Sequence, residues 1–288
     1  MRNNTFSIAL ASVVLVMMGA TVARADVLDD VKKKGTLTVG TKADYRPFGF
    51  LDPSGKIVGF EPDLVLDLCK RMKVECKIIA QDWDGMIPGL QAGKFDVIMD
   101  GMSITDERKK SIDFSNPYSL MPGAFAAAKS SAFAKLPDAG KVFNFNKDPK
   151  GSDAALQALR AALKGKTIGV QVSTTHATFL DHNFKDIATI KEYKTTDERD
   201  LDLKSGRIDV ELDDQPSLVS ILEKPDGKDY QFVGPQFTGG DFGVGAGMGI
   251  RKSDKDLTDK FNAALTAAFA DGSVKKYSLQ WFKIDTTP

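Results

Sequence analysis

Histidine and cysteine are scarce in this sequence: His176 and His182 are the only histidines, Cys69 and Cys76 the only cysteines. So few nitrogen and sulfur ligands argue against a zinc centre, and no metal or other cofactor is expected. Charge imbalance is missing too, with 39 basic against 39 acidic residues. Nucleic acid is therefore disfavoured as a partner, and an anionic membrane finds no polybasic handle. The N-terminal apolar run, Ile8 to Ala20, falls short of the roughly 20 residues that span a bilayer comfortably. It follows Arg2 and precedes Ala23-Arg24-Ala25, the order of an export signal cleaved after Ala25. No cysteine sits just after that point to carry a lipid, so the mature protein is expected to be free rather than inserted in a membrane. Removing residues 1–25 takes away Arg2 and Arg24 and no acid, which leaves a slightly negative protein.

What is present is the texture of a soluble globular protein: 42% hydrophobic and 27% charged residues over 288 positions, enough for about two domains. Cys69 and Cys76 lie seven positions apart, and in an exported chain such a pair is expected to form a disulfide. Closing so short a loop stabilises by about 2.5 kcal/mol on the chain-entropy estimate.

Along the mature chain, short β-branched runs alternate with stripes of helical period. Strands are expected at 36–40, 77–80, 95–99, 166–170, 189–193 and 208–212. Helices are expected at 61–73, 86–92, 154–163, 174–181, 197–204 and 256–269. The stretch 137–151, rich in Asn, Lys, Asp and Pro, reads as a surface loop or insertion. The run GVGAGMG after Phe242 reads as a glycine-rich strand, because the acid of a dinucleotide fingerprint is missing downstream.

Two segments repeat one skeleton, LQAGKFDVIMD from Leu90 to Asp100 and LKSGRIDVELD from Leu203 to Asp213. Each reads as a helix end, a glycine C-cap and a buried strand that finishes on an acid. Ligands of open α/β sheets bind at the carboxyl ends of strands. The duplication thus implies two lobes that point Asp100 and Asp213 at one shared cleft. After the first acid, Gly101 leads into Ser103, Thr105 and Arg108, where a helix start and a guanidinium suit a small anion. In the second lobe, Ser173, Thr174 and Thr175 open another helix, and Asp214 can face an ammonium. Together these groups fit the zwitterionic head of an α-amino acid.

From Leu37 to the C-terminus the chain resembles the amino-acid-binding periplasmic proteins of ABC importers, the group with the lysine/arginine/ornithine, histidine and opine (octopine, nopaline) receptors. The likeness is carried by Tyr45-Arg46-Pro47-Phe48, Gly59-Phe60-Glu61-Pro62-Asp63-Leu64, Gly85-Met86-Ile87-Pro88-Gly89-Leu90, Ser103-Ile104-Thr105 with Arg108, Ile112-Asp113-Phe114, Gly206-Arg207-Ile208-Asp209, and Phe242-Gly243 with Met248-Gly249. The resemblance implies a two-lobed α/β fold of the type II periplasmic-binding kind, its two sheets joined by a two-segment hinge. Residues 26–125 and 237–288 would form lobe 1, and 126–236 lobe 2. It further implies that Arg108, Ser103 and Thr174 bind the ligand carboxylate, Asp214 its α-amino group, that Tyr45 forms a wall, and that Trp83 forms a lid. Two positions depart from the basic-amino-acid receptors: Lys42 stands where those carry an acid, and Asp100 where they carry a serine. An opine, which bears an extra carboxylate beside a cationic group, suits that exchange, so an opine receptor delivering to a membrane permease is expected, as a monomer in the periplasm. A receptor for a plain basic or polar amino acid and a dehydratase-type enzyme on the same fold are the alternatives.

Overall fold

The computed structural model describes residues 35–288. The expected export signal, 1–25 with cleavage after Ala25, lies outside the described residues. Among the described residues no helix is long and apolar enough to cross a membrane. The strands, in chain order, are β1 (Thr36–Thr41), β2 (Asp44–Tyr45), β3 (Gly49–Leu51), β4 (Ile57–Val58), β5 (Glu75–Ala80), β6 (Val97–Ile98), β7 (Asp113–Phe114), β8 (Gly123–Ala128), β9 (Val142–Asn144), β10 (Thr167–Gln171), β11 (Thr189–Tyr193), β12 (Val210–Asp214), β13 (Tyr230–Thr238) and β14 (Gly249–Ile250). They build a five-stranded sheet ordered β5-β1-β6-β14-β7, a six-stranded sheet ordered β11-β10-β12-β8-β13-β9, and a small sheet of β2, β3 and β4.

The two large sheets repeat one plan. In the first, β1 runs parallel to β5 and β6. In the second, β10 runs parallel to β11 and β12. The next strand in each case is antiparallel, β14 beside β6 and β8 beside β12. The chain therefore crosses between sheets twice, once between β7 and β8 and once between β13 and β14. The expected lobe limits at 125/126 and 236/237 fall inside β8 and β13, since each strand continues to its crossover.

The duplicated skeleton is the third strand of each plan with the helix before it. The helices Met86–Gln91 and Thr196–Lys204 end shortly before Gly93 and Gly206, whose φ angles of 75° and 71° need a residue without Cβ. The aspartate inside the skeleton then stitches the strand to its neighbour. The backbone N–H of Thr38 donates to Asp96 Oδ2 at 2.9 Å, and that of Thr167 to Asp209 Oδ2 at 2.9 Å. The N–H of each aspartate returns a bond to the carbonyl of the same threonine.

Each sheet is covered on both faces, as parallel strands require. One face of the first packs Leu37, Val39, Phe60, Leu64 and Leu68 with Phe261, Leu265 and Phe282. These last three come from the helices Lys255–Ala270 and Ser273–Phe282. One face of the second packs Ile168, Val170, Val210 and Leu212 with Leu156, Leu159, Phe179 and Phe237. Cys69, in the helix Phe60–Met72, is joined to Cys76 of β5, as expected from their spacing.

Two segments differ from expectation. The stretch 137–151 is not wholly irregular: β9 lies within it, parallel to β13, and the helix Pro149–Leu163 begins there, capped by Asp148 accepting from Gly151 N at 3.0 Å. A three-residue strand is too short to display alternation, which is why periodicity missed it. Of the glycine-rich run only Gly249–Ile250 is strand; earlier, Gly243 and Gly245 adopt positive φ and Ala246 bridges both Ser103 and Ser119.

Candidate functional site

The carboxyl ends of β1, β6, β10 and β12 meet at one cleft between the two large sheets. Lys42 follows β1, Asp100 and Gly101 follow β6, Gln171 ends β10, and Asp213 and Asp214 end β12. All of these line the cleft with Tyr45, Trp83, Ser103, Arg108, Thr174, Thr175 and His176. Of the residues expected from sequence, Thr105 and Ser173 are absent from the wall as side chains. The φ of 61° at Ser173 places it at the turn before the helix Thr175–Asn183, and its carbonyl instead accepts from Trp83 Nε1 at 3.1 Å and from Arg108 Nη2 at 3.4 Å.

Arg108 is half-buried, with Nη1 donating to the Ser103 carbonyl at 2.9 Å and its guanidinium 5.2 Å from the Trp83 ring. Desolvation pushes its pKa down to about 10, which still leaves a cation at neutral pH. Nearby, Ser103 Oγ and Thr175 Oγ1 approach to 3.5 Å across the cleft. Thr174 Oγ1 is committed to capping, since it accepts from Ala177 N at 3.0 Å and donates to the Gln171 carbonyl at 2.7 Å. The first-turn N–H groups of that helix have no carbonyl partner within it, and a helix start of this kind suits a small anion. The other expected cap is Thr105, which accepts from Arg108 N at 3.2 Å at the start of the six-residue helix Asp106–Ser111.

Opposite stands the acidic end of β12. Tyr45 Oη donates to Asp214 Oδ2 at 2.8 Å and lies 3.1 Å from Asp213 Oδ1. Asp213 is fixed from behind by Arg199, a fully buried guanidinium whose Nη1 donates to Asp213 Oδ2 at 2.7 Å and whose Nε reaches Glu211 at 3.0 Å. Against the cost of burial, Arg199 holds the Asp213 carboxyl down at about 2. His176 Nε2 lies 3.5 Å from Asp214 Oδ1 and is buried without a hydrogen-bond partner. His176, Asp213 and Asp214 bring ligand atoms within 4.8 Å of one another, a spacing a cation could use, although Asp213 is already engaged by Arg199, Ser217 and Tyr45.

Lys42 turns inward. It is 3% exposed; its Nζ donates to Gln171 Oε1 at 2.9 Å and caps the Tyr45 ring 3.9 Å from its centroid. Asp100 is buried: Oδ1 accepts from Lys42 N at 3.0 Å and Oδ2 has no partner. Burial raises its pKa to about 7, with Lys42 opposing the rise. Beneath it lies Glu61, wholly buried, accepting from Gly101 N at 2.5 Å and from the Tyr118 hydroxyl. Burial, and then the nearby Asp100, raise its pKa to about 8. Gly101, at φ 58°, sits where a Cβ would come within 3.3 Å of the Tyr45 ring.

Sequence reasoning pointed Asp213 and Thr175 at the cleft, where both stand, but did not assign Gln171 or His176 to its wall, although they lie in the segments it singled out. Glu61 was legible only as part of a motif. With the side chains so interlocked, the enclosed free space at the head-group site is about 20 Å³, room for about one water.

Solved structures with the same fold include an ancestral arginine-binding protein bound to arginine, with a TM-score of 0.72 and 34% identity over 86% of this chain and 98% of that one. Another is the ancestral amino-acid-binding protein described as a precursor of cyclohexadienyl dehydratase, with a TM-score of 0.73 and 31% identity over 89% of this chain and 99% of that one. Among curated proteins, the octopine-binding periplasmic protein of Rhizobium meliloti is 41% identical over 88% of this chain and 92% of its own. The L-arginine-binding protein of Pseudomonas aeruginosa is 36% identical over 86% and 88%. Residues 37–284 match the model of the bacterial extracellular solute-binding proteins, family 3, and the chain belongs to that family.

Proposed function

We propose that this protein is a periplasmic receptor that captures an amino acid or amino-acid derivative by hinge closure and delivers it to the permease of an ABC importer. The observation that carries this reading is the convergence of like strand ends from two sheets on one cleft, with Arg108 on one side and Asp214 on the other. A zwitterionic head group matches that polarity. Its carboxylate meets Arg108, Ser103 and the helix start at Thr174, and its amino group meets Asp214 and Tyr45. Trp83 covers it.

The lobes are the two large sheets with their helices, joined at the crossovers that precede β8 and follow β13. Bonds across the cleft, from Lys42 to Gln171, Tyr45 to Asp214 and Trp83 to Ser173, describe a closed arrangement that must part to admit a ligand. A ligand that touches both lobes favours closure by as much as it binds the closed form better. The protein acts as a monomer after export and cleavage following Ala25.

For the ligand, an opine is the best match. Asp100, buried with a free oxygen, suits a guanidinium or amine, whereas the inward ammonium of Lys42 disfavours a second cation beside Tyr45. The similarity to an octopine-binding protein supports this choice. Calorimetric titration with arginine, lysine, histidine and N-carboxyalkyl amino acids is expected to rank an N-carboxyalkyl amino acid tightest; tighter binding of free arginine would refute the opine assignment. An enzymatic reading rests on His176, whose unpartnered Nε2 beside Asp214 has the position of a general acid or base. Recovery of the bound ligand unchanged after prolonged incubation is the expected result.

A further inference from the structure

We propose that a chamber on the hinge side of the cleft receives an acidic substituent carried on the amino nitrogen of the ligand, with Lys147 as its cationic partner. The inference rests on the opine reading above and locates the part of such a ligand that the head-group site leaves unassigned.

The chamber is a cavity of about 260 Å³ that shares two wall residues, Ser103 and Asp214, with the head-group site. Asp214 is the carboxylate assigned to the ligand nitrogen. A branch on that nitrogen therefore starts beside the one acid common to both spaces, and the chamber has room for several heavy atoms where the head-group site has almost none. The outer end of the chamber suits a polar branch, while Leu120, Met121, Phe242 and Val244 offer apolar surface to its carbon stem. The inner wall is the buried ring of Phe242 together with Asp214, and the outer wall is the turn that carries Asn144, Asn146 and Lys147.

That turn is built as a rigid support. Asn144 Oδ1 accepts from the N–H groups of Asn146 and Lys147 at 2.9 and 3.0 Å, and Asn144 Nδ2 donates to Thr238 Oγ1 at 3.0 Å, tying the turn to the end of β13. Asn146 Oδ1 accepts from Gly240 N at 3.2 Å, which leaves its amide N–H groups as donors. Lys147 is exposed, and its ammonium has no ion-pair partner among the described residues. Among the described residues it is the only cation on the chamber wall. Lys42, the competing cation for a second carboxylate, is already donated to Gln171 and seated on the Tyr45 ring. The segment 137–151, read from sequence as an insertion of unassigned role, thus supplies the outer wall.

The test is calorimetric titration of the full mature protein with arginine and with its N-carboxyethyl derivative. Wild type is compared with Lys147→Met, which removes the charge and keeps the stem, with Val244→Trp, which fills the chamber mouth from an exposed position, and with Lys42→Met. Wild type is expected to prefer the derivative. Lys147→Met and Val244→Trp should each weaken the derivative by about tenfold or more and change arginine by less than roughly twofold. Unchanged thermal midpoints show that both variants fold. A wild-type preference that survives both variants, or that is abolished by Lys42→Met alone, overturns the inference and leaves the opine reading standing. A wild type that binds arginine as tightly as the derivative overturns both.

Discussion

At the scale of single residues, the site is a set of buried charges whose compensation is uneven. Arg199 meets Asp200, Glu211 and Asp213, so the acid at the end of β12 is anchored as an anion. Such a network adds little net stability over an apolar core, but removing one member leaves uncompensated charge. Glu61 is the opposite case: it is wholly buried beside Asp100, accepts two hydrogen bonds on one oxygen, and has a second oxygen with none. Folded, it keeps its proton up to about pH 8, whereas its unperturbed value is 4.5. Between these values the folded state binds more protons than the unfolded one. Stability is therefore complete below the lower value and declines as pH rises towards the upper one. Denaturant titrations from pH 5 to about 8 should show this decline in wild type and a flatter profile in Glu61→Gln; equal slopes would contradict the assignment. Little of this was legible beforehand. Arg108, Asp214, Tyr45 and Trp83 could be placed because motif and strand-end logic fix the backbone. The inward turn of Lys42 depends on Gln171 and on the Tyr45 ring, partners from separate segments that no local pattern pairs.

At the scale of elements, the repeated skeleton was the most informative feature, and the structure accounts for it. A helix must end, reverse through a left-handed glycine and enter the third strand of a sheet, and both sheets solve this with the same residues. The aspartate four positions before each terminal acid is a stitch between strands, a role invisible without knowing which strands are neighbours. Helices with clear stripes were also legible, as were β1, β10 and β11. The alanine-rich β8 and the short β9 were not: one lacks alternation and the other lacks length. The Cys69–Cys76 bridge joins the helix Phe60–Met72 to β5 and closes a short loop. Replacing both cysteines by serine should lower unfolding free energy by about 2.5 kcal/mol in denaturant titration. A loss under roughly 0.5 kcal/mol would contradict this and mean that residual structure already restrains the loop in the unfolded chain.

At the scale of the whole molecule, two crossovers join two sheets of the same plan and aim their carboxyl strand ends at each other. That arrangement was predictable because duplication in an α/β chain implies duplicated ligand-facing ends. The expected lobe limits at 125/126 and 236/237 lie inside β8 and β13, near crossovers where sequence offers no composition shift. On the proposed reading, closure and recognition follow from one geometry: the guanidinium of Arg108 on one side of the cleft and the carboxylate of Asp214 on the other call for a ligand with both poles. The most direct test is calorimetric titration with the preferred ligand, with its amide, which lacks the carboxylate charge, and with its deaminated analogue. The account predicts that each analogue loses about tenfold or more in affinity. An analogue that binds as tightly as the parent would contradict the claim that the head group is gripped at both poles across the cleft.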